Sequence, residues 1–153
     1  IGLLEIINKQ GNTVFSHWEK DLTTEEKLNN RKKSLTCDIY LTSSNAITLN
    51  GELVNIDGSG NRIAAMSFGP QKTIIIAGAN KLVDTLEEAF ARIRNISAPL
   101  NGIRLSRKTP CALIGQCTDC DSPERMCNIS VVFHKKPNLS DITVILVGES
   151  LGY

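Results

Sequence analysis

Residues 73–77 read TIIIA and residues 142–147 read ITVILV. Both runs are continuous in apolar and β-branched residues. An alternating run marks a strand buried on one face; an unbroken run marks a strand buried on both, as in a parallel sheet with helices over its faces. Working outward, Cys37–Thr42 (CDIYLT) is expected as a further buried strand, Ile129–His134 as another, and Thr13–His17 (TVFSH) as a short β-prone piece. Ala46–Asn55 (AITLNGELVN) reads as a hairpin about Asn50-Gly51, a pair that accepts positive φ at both turn positions.

Helical patterns lie between these runs. Ile1–Lys9 is helical and ends at Gly11 and Asn12. Thr23, with Glu26 three residues on, forms a capping box that opens a charged helix reaching about Leu35. Arg62–Phe68 is a short helix. Asp84 with Glu87 predicts a second capping box, before a helix whose Leu86, Phe90, Ile93 and Ile96 make one apolar stripe. Pro99 suits the first turn of another helix. Strands alternating with helices define an α/β fold with three layers, α/β/α, around a mostly parallel, covered sheet. Residues 1–153 are expected to form one such domain, carrying a cysteine-rich loop at 111–127. The first residue is Ile1, already on the inner face of a helix, so a slightly longer chain with an N-terminal segment upstream is expected.

Composition excludes several functions. The 153 residues are 41% hydrophobic, with 17 Lys+Arg against 16 Asp+Glu and a net charge of +1. That content builds a core and is wrong for a disordered chain. The balanced charge argues against nucleic acid as a partner, which needs a basic face. Aromatic residues make up only 5%, too few for a base-stacking platform. No apolar run approaches the ~18–20 residues of a membrane span and no signal peptide opens the chain, so a cytoplasmic protein is expected.

Residues 43–62 (SSNAITLNGELVNIDGSGNR) hold four Asn, three Gly, three Ser and one Asp, and they follow a strand. In an open α/β sheet, ligands bind at the carboxyl ends of strands. Asn45, Asn55, Asp57, Gly58, Gly60, Asn61 and Arg62 are therefore the candidate ligand residues. The Asp57–Asn61 turn offers backbone N–H groups to an anion, and Arg62 adds a fork of donors. A solvated hairpin and turn is the alternative. Asn80 and Lys81, after TIIIA, are further candidates, with a helix-entry turn carrying an exposed Lys as the other reading. The pattern is neither a dinucleotide fingerprint nor a Walker loop. A small anionic metabolite is the expected ligand, and a homo-oligomer is possible.

Four of the five cysteines, Cys111, Cys117, Cys120 and Cys127, are spaced C-x5-C-x2-C-x6-C. A cytosolic chain rarely keeps structural disulfides, so clustered thiols point to metal or redox use. Zinc or an iron–sulfur cluster fits four thiolates; a reversible disulfide and plain loop thiols stay open. Between Ala89 and Thr118 there are five basic residues and no acidic one, which would offset thiolate charge. Cys37, apart in a strand, reads as an inert core thiol. His17 and His134 read as surface residues.

Together, SSNAITLNGELVNIDGSGNR, TIIIAGANK, RNISAPLNGIRLSRKTPCA, CTDCDSPERMC and ITVILVGESLGY resemble the lactate-utilisation (LUD) domain family of the YkgG type, over roughly Leu35 to Tyr153. The resemblance implies the isomerase/CoA-transferase-like (NagB/RpiA-like) fold. It also implies a part in oxidising lactate to pyruvate, beside iron–sulfur redox subunits. A more distant likeness joins Asn45, Asn50-Gly51-Glu52, Asn55 and Gly58 to the methylthioribose-phosphate isomerase and initiation-factor-2B superfamily. There an aspartate moves protons where this chain has Asn45, and an amide cannot act as an acid or base. Glu52, after its tight turn, is expected to be solvated. A sugar-phosphate isomerase or CoA/acyl transferase on the same fold is the alternative function, and a docking module without a small ligand is a third.

Overall fold

The computed structural model describes residues 2–153; Ile1, the first residue of the expected N-terminal helix, lies outside the described residues. Helix α1 spans Leu3–Lys9 and α2 spans Thr24–Lys33. The capping box at α2 is present: Thr23 Oγ1 accepts the Glu26 N–H, and the Glu26 carboxylate accepts the Thr23 N–H at 2.8 Å. Residues 13–17 form no strand. Their Ser16 carbonyl is taken by Asn30 Nδ2 at 2.9 Å, and the Arg104 guanidinium sits 4.5 Å over the neighbouring Trp18 ring. β propensity needs a strand edge to pair with, and these side-chain anchors hold the segment elsewhere.

Among the described residues, seven strands make two sheets. Strands β1 (Ile39–Thr42), β4 (Lys72–Gly78) and β7 (Asp141–Val147) are parallel, in the order β1-β4-β7. Strands β2 (Ala46–Thr48), β3 (Leu53–Asp57), β5 (Leu82–Val83) and β6 (Ile129–Phe133) form a mixed sheet in the order β5-β2-β3-β6. The parallel sheet of the sequence expectation is thus joined by a mixed one, because the β2–β3 hairpin and its partner β6 pair antiparallel. At the hairpin, Gly51 alone has positive φ, and its N–H donates to Thr48 O at 2.9 Å, a three-residue loop closed by one left-handed glycine.

The core sits between the sheets. Ile75 and Ala77 of β4 pack against Ile47, Leu53 and Phe133 of the mixed sheet and Met66 of α3 (Asn61–Ser67). On the opposite face of the mixed sheet, Ala46 and Val54 meet Ala89 of α4 (Leu86–Arg92) and Ile93 just beyond it. A parallel sheet and a mixed sheet with helices packed against them are compatible with a three-layer α/β/α fold.

Three local expectations are corrected. The α4 cap lies one residue later than Asp84–Glu87: Thr85 Oγ1 accepts the Glu88 N–H at 3.2 Å, and Glu88 Oε2 accepts the Asp84 N–H at 2.9 Å. β1 is an edge strand with Ile39 54% exposed, and Cys37 precedes it, half-buried, its thiol donating to Ser34 O at 3.3 Å; it is not a core thiol. β7 is the other edge, and its Val144, Ile145 and Leu146 are exposed rather than covered. Helix α4 runs through a π-helical turn (residues 93–97) into α5 (Ala98–Arg104). Pro99 cannot donate the N–H that Asn95 would accept, and the wider turn relieves its ring. Helix α6 spans Pro110–Ile114.

Candidate functional site

The carboxyl ends of the parallel strands gather at one rim, where open α/β sheets place their ligands. β1 runs into Ser43-Ser44, β4 into a 3-10 turn at Ala79–Lys81, and β7 into residues 148–153. That last segment crosses the end of β4. Glu149 O accepts the Ala79 N–H at 3.1 Å, Asn80 Oδ1 accepts the Leu151 N–H at 3.1 Å, and Asn80 Nδ2 donates to Gly152 O at 3.0 Å. Gly78 makes the crossing possible, because a Cβ there would collide with backbone atoms of Glu149 and Leu151.

Arg62, in the first turn of α3, is held by a carboxylate. Its Nε donates to Asp57 Oδ1 at 2.8 Å, and its Nη2 reaches Asp57, Asn45 Oδ1 at 2.7 Å and Ile56 O at 3.1 Å. Asn45 Oδ1 also accepts the Ile56 N–H at 3.0 Å, while the Asn45 N–H donates to Asn55 Oδ1 at 3.2 Å. Asp57 Oδ2 accepts the Ile63 N–H at 3.1 Å. Asn45, Asn55, Asp57 and Arg62 are therefore brought together as a network that binds β2, β3 and α3 to one another. Its one loose end is Asn55 Nδ2, a buried donor without a partner among the described residues.

Lys81 is different. It is 6% exposed, its Nζ donates to Ser43 Oγ at 3.0 Å, and among the described residues no carboxylate pairs with it. Burial, and then the positive charges of Arg92 and Arg62, lower its pKa to about 8. Arg92 is buried as well, and its partners are neutral: Asn80 O at 2.9 Å, Asn45 O at 2.7 Å and Ser97 Oγ at 2.9 Å. Burial lowers its pKa also. Asp57, paired with Arg62, is thus the carboxylate bonded into this set of three cations, and Lys81 and Arg92 have neutral partners. An oxyanion is the chemistry that such an excess recognises.

The other sequence candidates lie apart from Lys81. A Cβ on Gly58 would meet Met126 O at 3.3 Å, and one on Gly60 would lie 2.9 Å from Ile129 Cδ1. Asn128 adds an N–H to Asp57 O at 3.0 Å. The two glycines thus admit the chain at 126–129, and the turn packs against the cysteine loop. Asn61 opens α3, half-buried. Ser43 and Arg92 were not among the sequence candidates. Ser43 directly follows a strand that proves to be parallel, and that position was its available signal. Glu52, expected in solvent, is only 17% exposed in its side chain: Oε2 accepts from Thr48 Oγ1 at 3.1 Å and Oε1 meets His134 Nδ1 at 2.7 Å. It stands at the hairpin turn, the opposite end of the β2–β3 pair from Asn45 and Asn55.

A second region is formed by the cysteines. Cys111 of α6 and Cys117, Cys120 and Cys127 of the following loop all line one cavity of about 80 Å³, walled by Ile56, Ile93, Ala98 and Met126. All are free thiols. Burial, with the three other thiols close by, pushes the Cys127 pKa up. Among the described residues, no group of three or more His, Cys, Asp or Glu side chains is already gathered at metal-holding geometry.

Fold and rim define a class: an α/β domain with a cation-rich edge at the carboxyl ends of its parallel strands. Within that class the chain belongs to the LUD domain family, whose family model matches residues 1–147, and this family is associated with lactate utilisation. The match reaches into the N-terminal helices, beyond the Leu35 start of the sequence resemblance, and stops before the crossing segment. No curated protein and no solved structure matches the chain. Among the described residues no helix is long and apolar enough to cross a membrane.

Proposed function

We propose that this LUD domain, of the YkgG type, binds a small carboxylate of the lactate/pyruvate class at the rim between Ser43 and Lys81. In this reading it serves as the ligand-binding component of a cytoplasmic organic-acid oxidation system with iron–sulfur partner subunits. One observation carries the reading: Lys81 is a buried cation with a hydroxyl partner and, among the described residues, no counter-charge. Burying a charge is costly unless an opposite charge offsets it, so the uncompensated ammonium of Lys81 favours an anion. Lys81 Nζ and Ser43 Oγ would hold a carboxylate oxygen, and Arg92 would raise the local potential.

The isomerase or acyl-transfer alternative needs a free carboxylate at this rim, and Asp57 is already engaged by Arg62 and the Ile63 N–H. Asn45 is an amide held by Arg62 and Ile56, and Glu52 lies at the far end of the hairpin.

Thermal-shift measurements with lactate, pyruvate, CoA and a sugar phosphate test the proposal. A rise in melting temperature with pyruvate or lactate, absent in Lys81→Met and weakened in Ser43→Ala, is the expected result. No rise with either acid, or an equal rise in Lys81→Met, would overturn it.

A further inference from the structure

Residues 115–128, between α6 and β6, contain no helix or strand. A loop this long inside a packed domain normally has a task of its own. It is not loose. Gly115 and Asp119 both take left-handed backbone conformations, which turn the chain sharply beside Cys117 and Cys120. Arg125 then ties the loop to itself: Nε donates to Cys127 O at 3.1 Å, Nη1 to Cys120 O, and Nη2 to Asp119 Oδ1 at 2.9 Å. This clamp fixes the backbone at two of the four cysteines while leaving every sulfur unused by a disulfide.

The four thiols come from a helix and three loop positions, and they line the same cavity without being gathered at metal-holding geometry, so a metal would draw them together; Arg94 and Arg125 stand at its wall. Four thiolates around a divalent centre carry a net charge of about −2, which neighbouring guanidinium groups offset. Cys37, the remaining cysteine, lies outside this cavity.

We propose that Cys111, Cys117, Cys120 and Cys127 form a four-thiolate site for one soft-metal centre, a zinc ion or an iron–sulfur cluster, in the cavity they line. Binding replaces four S–H bonds by four metal–sulfur bonds and releases the protons to solvent, so occupancy depends on pH. It also cross-links α6 to β6 through the loop, so the centre contributes to the stability of this end of the domain. The site is independent of Lys81, and the two proposals fail separately.

The test begins with zinc, iron and acid-labile sulfide analysis and a visible spectrum of full-length protein purified anaerobically. Colourless protein with one zinc per chain supports the zinc form; iron with matching sulfide and visible absorption supports the cluster form. Loss of a group that only hydrogen-bonds a metal ligand already costs about 10–100-fold in metal affinity, so Cys120→Ser should lower affinity by about tenfold or more. Cys37→Ser should keep the wild-type metal content, and zinc added to the metal-free protein at neutral pH should release protons. Metal-free wild type that takes up neither zinc nor a reconstituted cluster would overturn the proposal. So would metal content unchanged in both Cys120→Ser and Cys127→Ser. Pyruvate thermal shifts on the same samples keep this outcome distinct from the fate of the Lys81 proposal.

Discussion

Arg62 and Lys81 approach the same residue from two sides and meet opposite conditions. Arg62 Nη1 reaches the Ser43 carbonyl at 3.4 Å while its other nitrogens bind Asp57; Lys81 Nζ reaches the Ser43 hydroxyl at 3.0 Å and has no carboxylate among the described residues. The first cation is spent on structure. Its network joins a hairpin to a helix and leaves no charge free. The second is held at a strand end with its charge uncompensated, an arrangement that costs stability and that a folded protein keeps where a ligand repays it. A cation's use is therefore read from its partner and not from its presence in a loop.

The largest effect should come from breaking the spent side. Asp57→Ala leaves Arg62 half-buried without its counter-charge and orphans the Ile63 N–H, and should cost about 3–5 kcal/mol in urea unfolding. Lys81→Met should do the reverse. Removing an uncompensated buried cation should leave stability unchanged or raise it by about 1 kcal/mol, while abolishing the response to pyruvate. Loss of stability comparable to that of Asp57→Ala would mean that Lys81 is structural too.

Titration sharpens the contrast further. Lys81 has a folded-state pKa of about 8 against 10.5 unfolded. Below pH 8 both states are protonated and the burial penalty is fully present. Between pH 8 and 10.5 the unfolded chain binds the extra proton, so stability should rise with pH across that window. Lys81→Met should lack this rise when urea midpoints are compared at pH 7.5 and 10. Pyruvate binding should run the other way, weakening as pH passes 8 and the ammonium is lost. The smallest effect belongs to the Glu52–His134 pair at the opposite end of the hairpin. With His134 largely exposed, His134→Ala should cost about 0.5 kcal/mol and leave the pyruvate response intact.

Much of this was legible in sequence and some could not be. TIIIA, the Thr23–Glu26 box and the Asn50-Gly51 turn are local signals, and their physics is complete within a few residues. ITVILV reads as a strand for the same reason, but its place at a sheet edge depends on what lies beside it, which a run of apolar residues does not encode. Asp57 and Arg62 were visible as candidates for an anion turn; that they choose each other follows from the first turn of α3, which presents the guanidinium to the end of β3. Lys81 was visible but ambiguous, because its surroundings include residues far off in sequence: the 148–153 segment, bonded to the neighbouring Asn80, passes Lys81 Nζ at Gly152. Arg92 looked like one more basic residue of a charged stretch until the fold turned it inward.

The charge state of Lys81 is the most direct measure of the central claim. In protein labelled with 13C-lysine, one Cε resonance, assigned by its absence in Lys81→Met, should titrate near pH 8 without ligand and at higher pH in saturating pyruvate, since a bound carboxylate favours the ammonium. A Lys81 resonance that titrates near 10.5 and does not respond to pyruvate would contradict the account.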